Sequence, residues 1–567
     1  MRNGRLLPVL YIVSAGLTAV IAGPLLGALV GIGPRHLLYR DAVSTPRSYA
    51  TDAALGIGDL PPRAVPQDWL VAIVSRVVDG GWFVVAVLLS ALVFAGVGYG
   101  RLAHRLVPQA GRVGAVAAAV IALWNPFVAE RLLQGHWGLL VGYAALAWIV
   151  VGVGDLVAAP SALRWCQLAG LVAVAGLTPT GSVLAAVVLV TACVAYGFRS
   201  RSVLGVVVIW IGSAAPWLVA ALVGGAATTT GSAGVGAFGL RSEPWLGPLG
   251  TALGLGGIWN ADAVPTSRTV GWAAVATGCL LVVVAIGAIQ VWRDRVFRWL
   301  VVLALVVVIL VVLSSFGPGR AVLEAVVDAA PGAGLLRDSQ KFLALLMPAF
   351  AVAAAGVIVA LRRLVPAGFA LAAVILLVVA PLPDLAWGVG GAVRPVSFPA
   401  EWSAVARIVP ADAGAVARWP SNTVRRYAFA NEVSLDPAPR MLRAPVVESG
   451  RLTVDGREID PPSAAAVKVE KVLDTEGDPS ELADLGVGWV LVDGDSPPAR
   501  VARLDPVFTG DTLRLYQIDG AQTPKASSGA RAAAVTAHVL WLAMILAGAA
   551  ACAVQAVRAF RRTDSAG

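Results

Sequence analysis

Asp41 is the first residue whose type and place suit it to chemistry. It lies about ten residues past the first long apolar segment, in Gly33-Pro-Arg-His-Leu-Leu-Tyr-Arg-Asp41. A carboxylate at the rim of a membrane protein is either a solvated loop charge or a base for a reaction at the membrane surface. Arg40 beside it is expected to favour its ionised form. A second cluster is Trp124-Asn-Pro-Phe-Val-Ala-Glu-Arg-Leu-Leu-Gln-Gly-His-Trp137, where Glu130, Arg131, Gln134 and His136 fall within seven residues between two tryptophans. It reads as a polar turn in an aromatic belt or as a corner that binds sugar or phosphate. The third cluster is Arg337, Asp338 and Lys341. If a helix has begun there, Arg337 and Lys341 share a face and two cations can hold a lipid phosphate; the alternative is snorkelling to headgroups.

The elements that must position these residues are membrane spans. The chain of 567 residues is 58% hydrophobic and 14% charged, against about 25% charged in a soluble domain. Twelve apolar segments are expected to cross the membrane: 7–30, 82–99, 113–129, 138–154, 165–181, 183–198, 203–224, 271–292, 299–316, 342–361, 367–383 and 533–557. The first is too long for a signal-peptide core and reads as an uncleaved anchor.

With twelve spans, the termini and the even loops share one side, which carries sixteen arginines against three acids. The short loops of the other side carry eleven basic and eleven acidic residues. This is the positive-inside pattern: both termini are expected in the cytoplasm of a multi-pass cell-membrane protein. The +9 net charge is then a topology signal, and no nucleic-acid partner is expected.

Three regions are distinguished: a membrane module over 1–387, an extracytoplasmic α/β domain over 388–530, and a last span with a short tail over 531–567. In the α/β domain, strands are expected at Ala415–Trp419, Val487–Val492 and Leu513–Ile518, and helices at Ala464–Leu473 and Ser480–Leu485. Trp402, Trp419, Tyr427 and Trp489 offer core packing or stacking faces for a glycan. Pro66–Val78 has the apolar spacing of a helix lying in the interface plane.

The span interiors hold no Asp, Glu, Lys or Arg, which argues against ion-coupled transport. His538, the lone histidine within a span, reads as a packing residue. No Walker A or Rossmann motif is present. The four cysteines lie in or at spans without a CxxC, and no metal-ligand motif stands out; the cofactor is left open, a divalent cation included.

Tyr39-Arg-Asp41, the Trp124–Trp137 stretch and Leu335-Leu-Arg-Asp-Ser-Gln-Lys-Phe342 together resemble the GT-C superfamily of polytopic glycosyltransferases. The narrower resemblance is to actinobacterial cell-envelope members of the arabinofuranosyltransferase-D-like group, over roughly residues 1–385. It implies transfer of a sugar, of the arabinofuranose or mannose class, from a polyprenyl-phosphate donor to an envelope polysaccharide or glycolipid. Asp41 matches the acid that serves the superfamily as base in the first outer loop. Many members pair that acid with a second one; here Arg40 stands in its place, and Asp52 and Asp59 are the other acids considered. On this reading Arg337, Lys341 and Arg131 meet the donor phosphate, and Arg40, Glu130, His136 and Asp338 contact substrate. A lipid or polysaccharide exporter, or a non-catalytic assembly subunit, is the alternative.

Overall fold

The structure is a computed structural model and describes residues 6–58, 60–62, 64–224, 231–330, 332–454 and 456–564. Among these, nine helices are long and apolar enough to cross a membrane: Gly80–Leu106, Pro108–Gln134, Trp137–Ala158, Pro179–Tyr196, Ser202–Val223, Trp272–Val291, Arg295–Leu313, Ser339–Leu361 and Ser528–Arg558. Two more apolar segments are bent. Leu6–Ile21 and Gly23–Leu29 meet at 104°, and Ala367–Val379 and Pro383–Gly391 meet at 81°. Counting each bent pair as one span gives eleven. The expected twelfth, 165–181, is the 14-residue helix Ala162–Ala175, shorter than the usual ~20 residues; it still carries the chain from Arg164, at the Asp155 end of the bundle, to Thr178 at the opposite end, so the alternation of loops is kept. Both bends fall at prolines, Pro24 and Pro381/Pro383, which cannot donate the backbone hydrogen bond that carries a helix onward.

At one end of the bundle, arginines meet the few acids and carbonyls there. Arg101 and Arg105 pair with Asp155, and Arg362 donates to the Gln109 carbonyl. The other end carries the candidate residues and a small mixed-sheet domain.

The strands are β1 (Leu38–Tyr39), β2 (Ala42–Val43), β3 (Ala415–Trp419), β4 (Val424–Arg426), β5 (Val433–Leu435), β6 (Val446–Val447), β7 (Leu452–Val454), β8 (Arg457–Asp460), β9 (Val487–Asp493), β10 (Phe508–Thr509) and β11 (Leu513–Gln517). The main sheet has the order β10-β11-β9-β3-β6, with β3 parallel to β6 and β9 and the remaining pairs antiparallel. Both faces are covered, which explains the apolar runs Val487–Val492 in β9 and Ala415–Ala417 in β3; Arg418 of β3 is buried in ion pairs with Asp436 and Asp493. Val416, Leu491 and Leu515 pack on Trp402 and Val405 on one face. Ala417, Val490 and Tyr516 pack on Val469 and Leu473 on the other. The helix Ala464–Leu473 starts where Ser463 accepts a hydrogen bond from the Ala466 N–H.

Trp402, Tyr427 and Trp489 are buried in this core, and Trp419 is partly buried against it. The first three are therefore packing residues, not stacking faces. The expected interface helix is Gln67–Val74. Its Trp69 turns inward, with its ring 5.1 Å from that of His538, so the apolar face packs on protein. His538 is fully buried in that contact and bonds the Ala534 carbonyl four residues back.

Candidate functional site

The β1–β2 hairpin carries Arg40 and Asp41 in its two-residue turn, with Tyr39 opposite Ala42. Arg40 takes a left-handed φ of 43°, which sends its side chain away from Asp41. Its guanidinium donates to the Leu133 and Asp262 carbonyls at 2.8 and 2.7 Å and lies 3.5 Å from Glu432. Its backbone N–H and C=O bond Val433 and Leu435, docking the hairpin on β5.

The span Pro108–Gln134 breaks at Trp124-Asn125-Pro126. Asn125 accepts from the Val128 N–H and Pro126 opens a new helix, Pro126–Gln134. That helix ends at Gly135 with φ 83°. A Cβ at Gly135 would collide with the backbone of Ala42, so this glycine lets the hairpin approach. The Asp41 N–H then bonds the Gln134 carbonyl at 3.1 Å.

This approach brings the three sequence clusters together. His136 Nε2 lies 2.8 Å from Asp41 Oδ2, and Gln134 Nε2 donates to the same oxygen at 3.2 Å. Oδ1 is left for an incoming group. Asn260 in turn donates to Gln134 Oε1 at 2.8 Å. His136 Nδ1 lies 3.0 Å from Arg131 Nη1. Arg131 Nη1 lies 3.5 Å from Asp338 Oδ2, which also meets Lys341 Nζ at 3.2 Å.

Burial alone would raise the Asp41 carboxyl, but the His136 and Gln134 hydrogen bonds and the nearby Lys341 charge outweigh it and lower it. Arg40 is not among the groups that lower it; its guanidinium points to the Leu133 and Asp262 carbonyls and Glu432. Burial lowers His136, and Lys341 and Arg131 add to this against the opposing pull of Asp41. For Asp338 burial is likewise outweighed, by Lys341 and Arg131, and its carboxyl is lowered.

A cavity of about 1930 Å³ runs from this cluster to the β domain. The Asp41 side chain is 42% exposed and that of Lys341 23%. Both line the cavity, as do His136, Asp338, Arg337 and Arg40. Arg131 and Glu130 do not: both are fully buried, behind the cavity wall. The Glu130 carboxylate accepts from the Gly257 and Ile258 N–H groups and from Gln340 Nε2 at 2.9 to 3.1 Å. It anchors the loop after the helix Gly247–Leu253 and does not line the cavity. Arg337 forms a two-pronged pair with Asp460 of β8 and stacks over Phe238 at 4.9 Å.

Asp52 pairs with Arg531 at 2.8 Å and accepts from the Ala526 N–H, so it ties the start of the last helix to the first loop. Asp59 lies outside the described residues. Sequence reasoning placed Gln134 in the Glu130–His136 cluster without a role of its own and assigned none to Asn260 or Gln340. The first was visible as a neighbour of His136; the other two reach the site only through tertiary packing. Among the described residues no three His, Cys, Asp or Glu side chains gather as a cation site.

The chain is thus a multi-pass helical membrane protein with a small mixed-sheet domain over one end of the bundle. Its fold is similar to that of the arabinofuranosyltransferase AftD from mycobacteria, with a TM-score of 0.52 and 16% identity over 93% of this chain. A structure of a mutant of AftD gives the same score and identity over 90% of this chain. The chain spans about two fifths of that protein's length, 40% and 41% in the two comparisons. No family model and no curated protein matches the sequence. At this identity the likeness is one of fold.

Proposed function

We propose that this chain is a GT-C-type membrane glycosyltransferase. It moves a sugar of the arabinofuranose or mannose class from a polyprenyl-phosphate donor to a hydroxyl of an envelope polysaccharide or glycolipid. The reaction takes place at the outer face of the membrane, with both termini in the cytoplasm. The observation that carries this reading is Asp41: an ionised carboxylate at a large cavity, one oxygen held by His136 and Gln134 and the other open, with Lys341 close by.

Asp41 Oδ1 takes the proton of the acceptor hydroxyl as its oxygen forms a bond to the anomeric carbon. The bond from that carbon to the phosphate oxygen breaks, and the electron pair leaves with the lipid phosphate. A carboxylate held this low is a weak base, so the proton moves late, once bond formation has acidified the hydroxyl. Lys341 lines the cavity, pairs with Asp338 at 3.2 Å and acts on Asp41 by its charge, and it meets the charge that develops on the leaving phosphate. Arg337, bound to Asp460, holds the β domain over the site.

The test is transfer of labelled sugar from synthetic polyprenyl-phosphate arabinose or mannose to envelope glycan by the purified, lipid-reconstituted protein. It is joined to mass spectrometry of lipid-linked sugars after deletion of the gene. Accumulation of donor and loss of one glycosidic linkage support the reading. No transfer, with lipid-linked glycan stranded on the cytoplasmic leaflet, would favour an exporter.

A further inference from the structure

The Asp41–His136 contact can be read in two ways. His136 can be the base with Asp41 orienting it, or Asp41 can be the base with His136 donating to it. Arg131 decides between them. A guanidinium has only N–H donors, no acceptor, and stays charged at any working pH. Its Nη1 lies 3.0 Å from His136 Nδ1, so Nδ1 must present its lone pair. A neutral imidazole carries one ring proton, which then sits on Nε2, facing Asp41 Oδ2 at 2.8 Å. A proton on Nδ1 would set two donors against each other beside a full positive charge.

Arg131 has no room to turn away. It is fully buried, lies over the Phe127 ring at 5.3 Å, and the same Nη1 also meets Asp338 Oδ2 at 3.5 Å. The chain fixes the pair as well, because the His136 N–H bonds the Arg131 carbonyl at 2.9 Å across Gly135. We infer that Arg131 is a positioning residue that locks His136 as the neutral ring protonated on Nε2. His136 then serves Asp41 only as a hydrogen-bond donor, and the acceptor's proton goes to Asp41.

The charged groups facing the ring are Asp41, Arg131 and Lys341, with Asp338 behind Arg131. Arg131 and Lys341 share Asp338, and the one positive charge left over is balanced by Asp41. Removing Arg131 frees Nδ1 and leaves the ring next to an ionised carboxylate, which favours the imidazolium. The locking holds without substrate; only the proton's destination rests on the proposed transfer reaction.

The experiment is nitrogen-15 NMR of the full chain, labelled at histidine and held in lipid nanodiscs. The chain has four histidines, and the His136→Gln spectrum identifies the signal. Between about pH 6 and 8, where an ordinary histidine titrates, His136 should stay neutral with its proton on Nε2. An imidazolium pattern, or a proton on Nδ1, overturns the inference. Arg131→Met alone strands Asp338, so the paired variant Arg131→Met with Asp338→Asn removes both charges. In it His136 should acquire a titration within the same range; an unchanged neutral Nε2–H ring would remove Arg131 from the role. A locked ring in a protein without transfer activity would refute the transferase reading and leave this one standing. An imidazolium in an active protein would do the reverse.

Discussion

Arg337 and Asp460 clasp the membrane module to the β domain: Nη1 lies 2.7 Å from Oδ1 and Nη2 3.4 Å from Oδ2, with both side chains under 10% exposed. Removing one partner of such a buried pair is destabilising, by up to about 5 kcal/mol. Arg337→Gln should therefore lower the midpoint of thermal unfolding in detergent and make the β domain easier to cleave by protease. A variant with wild-type melting and wild-type proteolysis would show that the clasp carries no load.

Asp41→Asn keeps the volume and can still accept from His136 Nε2–H, but it cannot take a proton. The expected outcome is a loss of transfer of about 10²–10⁴-fold with unchanged expression and melting. Near-wild-type turnover would take Asp41 out of the mechanism.

Lys341 and Arg337 should separate in a donor titration. Lys341→Gln removes a charge-assisted contact worth about 1.5–3 kcal/mol, so transfer should need more donor or run more slowly once saturated. It should leave the melting point nearly unchanged, since Lys341 is partly exposed. Arg337→Gln should show the opposite balance. Equal behaviour of the two in both assays would contradict the division of labour.

The depressed carboxyl of Asp41 makes a prediction for acid stability. Its pKa lies below the ordinary 3.8 in the folded protein. A group lowered on folding adds stability that is fully present above its ordinary value and is lost as pH falls towards the folded one. Asp41→Asn removes this dependence. The difference in melting temperature between wild type and Asp41→Asn should be constant near neutrality and change as pH drops below about 4. A constant difference down to about pH 3 would mean that the carboxyl is not lowered.

The apolar segments and the cores of β3, β9 and the helix Ala464–Leu473 were legible because burial writes itself as hydropathy and period. The bends were not, since a hydropathy run continues through a proline without a break in composition. Roles at the site were less legible than positions. Arg337 and Lys341 share a face only on an α-helix. The chain there forms two short 3₁₀ stretches, Ala333–Leu336 and Ser339–Leu346, with three residues per turn. Spacing of three, not four, then brings side chains together, so Lys341 meets Asp338 while Arg337 reaches Asp460. Glu130 and Arg131 are neighbours on one helix and so point about 100° apart. One bonds the Gly257–Ile258 backbone and the other His136, which no count of charges distinguishes.

The sidedness of the molecule is the last prediction. Sixteen arginines against three acids on one set of loops, with balanced charge on the other, place the arginine-rich end in the cytoplasm. The β domain, at the end with the cavity, then faces outward. Glu476 reports on this, because its side chain is 78% exposed and its ion pair with Arg503 is a surface one, worth under about 1 kcal/mol. Glu476→Cys, in a background without the four native cysteines, should react in intact cells with a maleimide that cannot cross the membrane. A cysteine introduced at Arg362, at the other end of the bundle, should react only after permeabilisation. The reverse pattern would invert the topology and place the cavity, Asp41 and Lys341 on the cytoplasmic side, where a lipid-linked donor at the outer leaflet could not reach them.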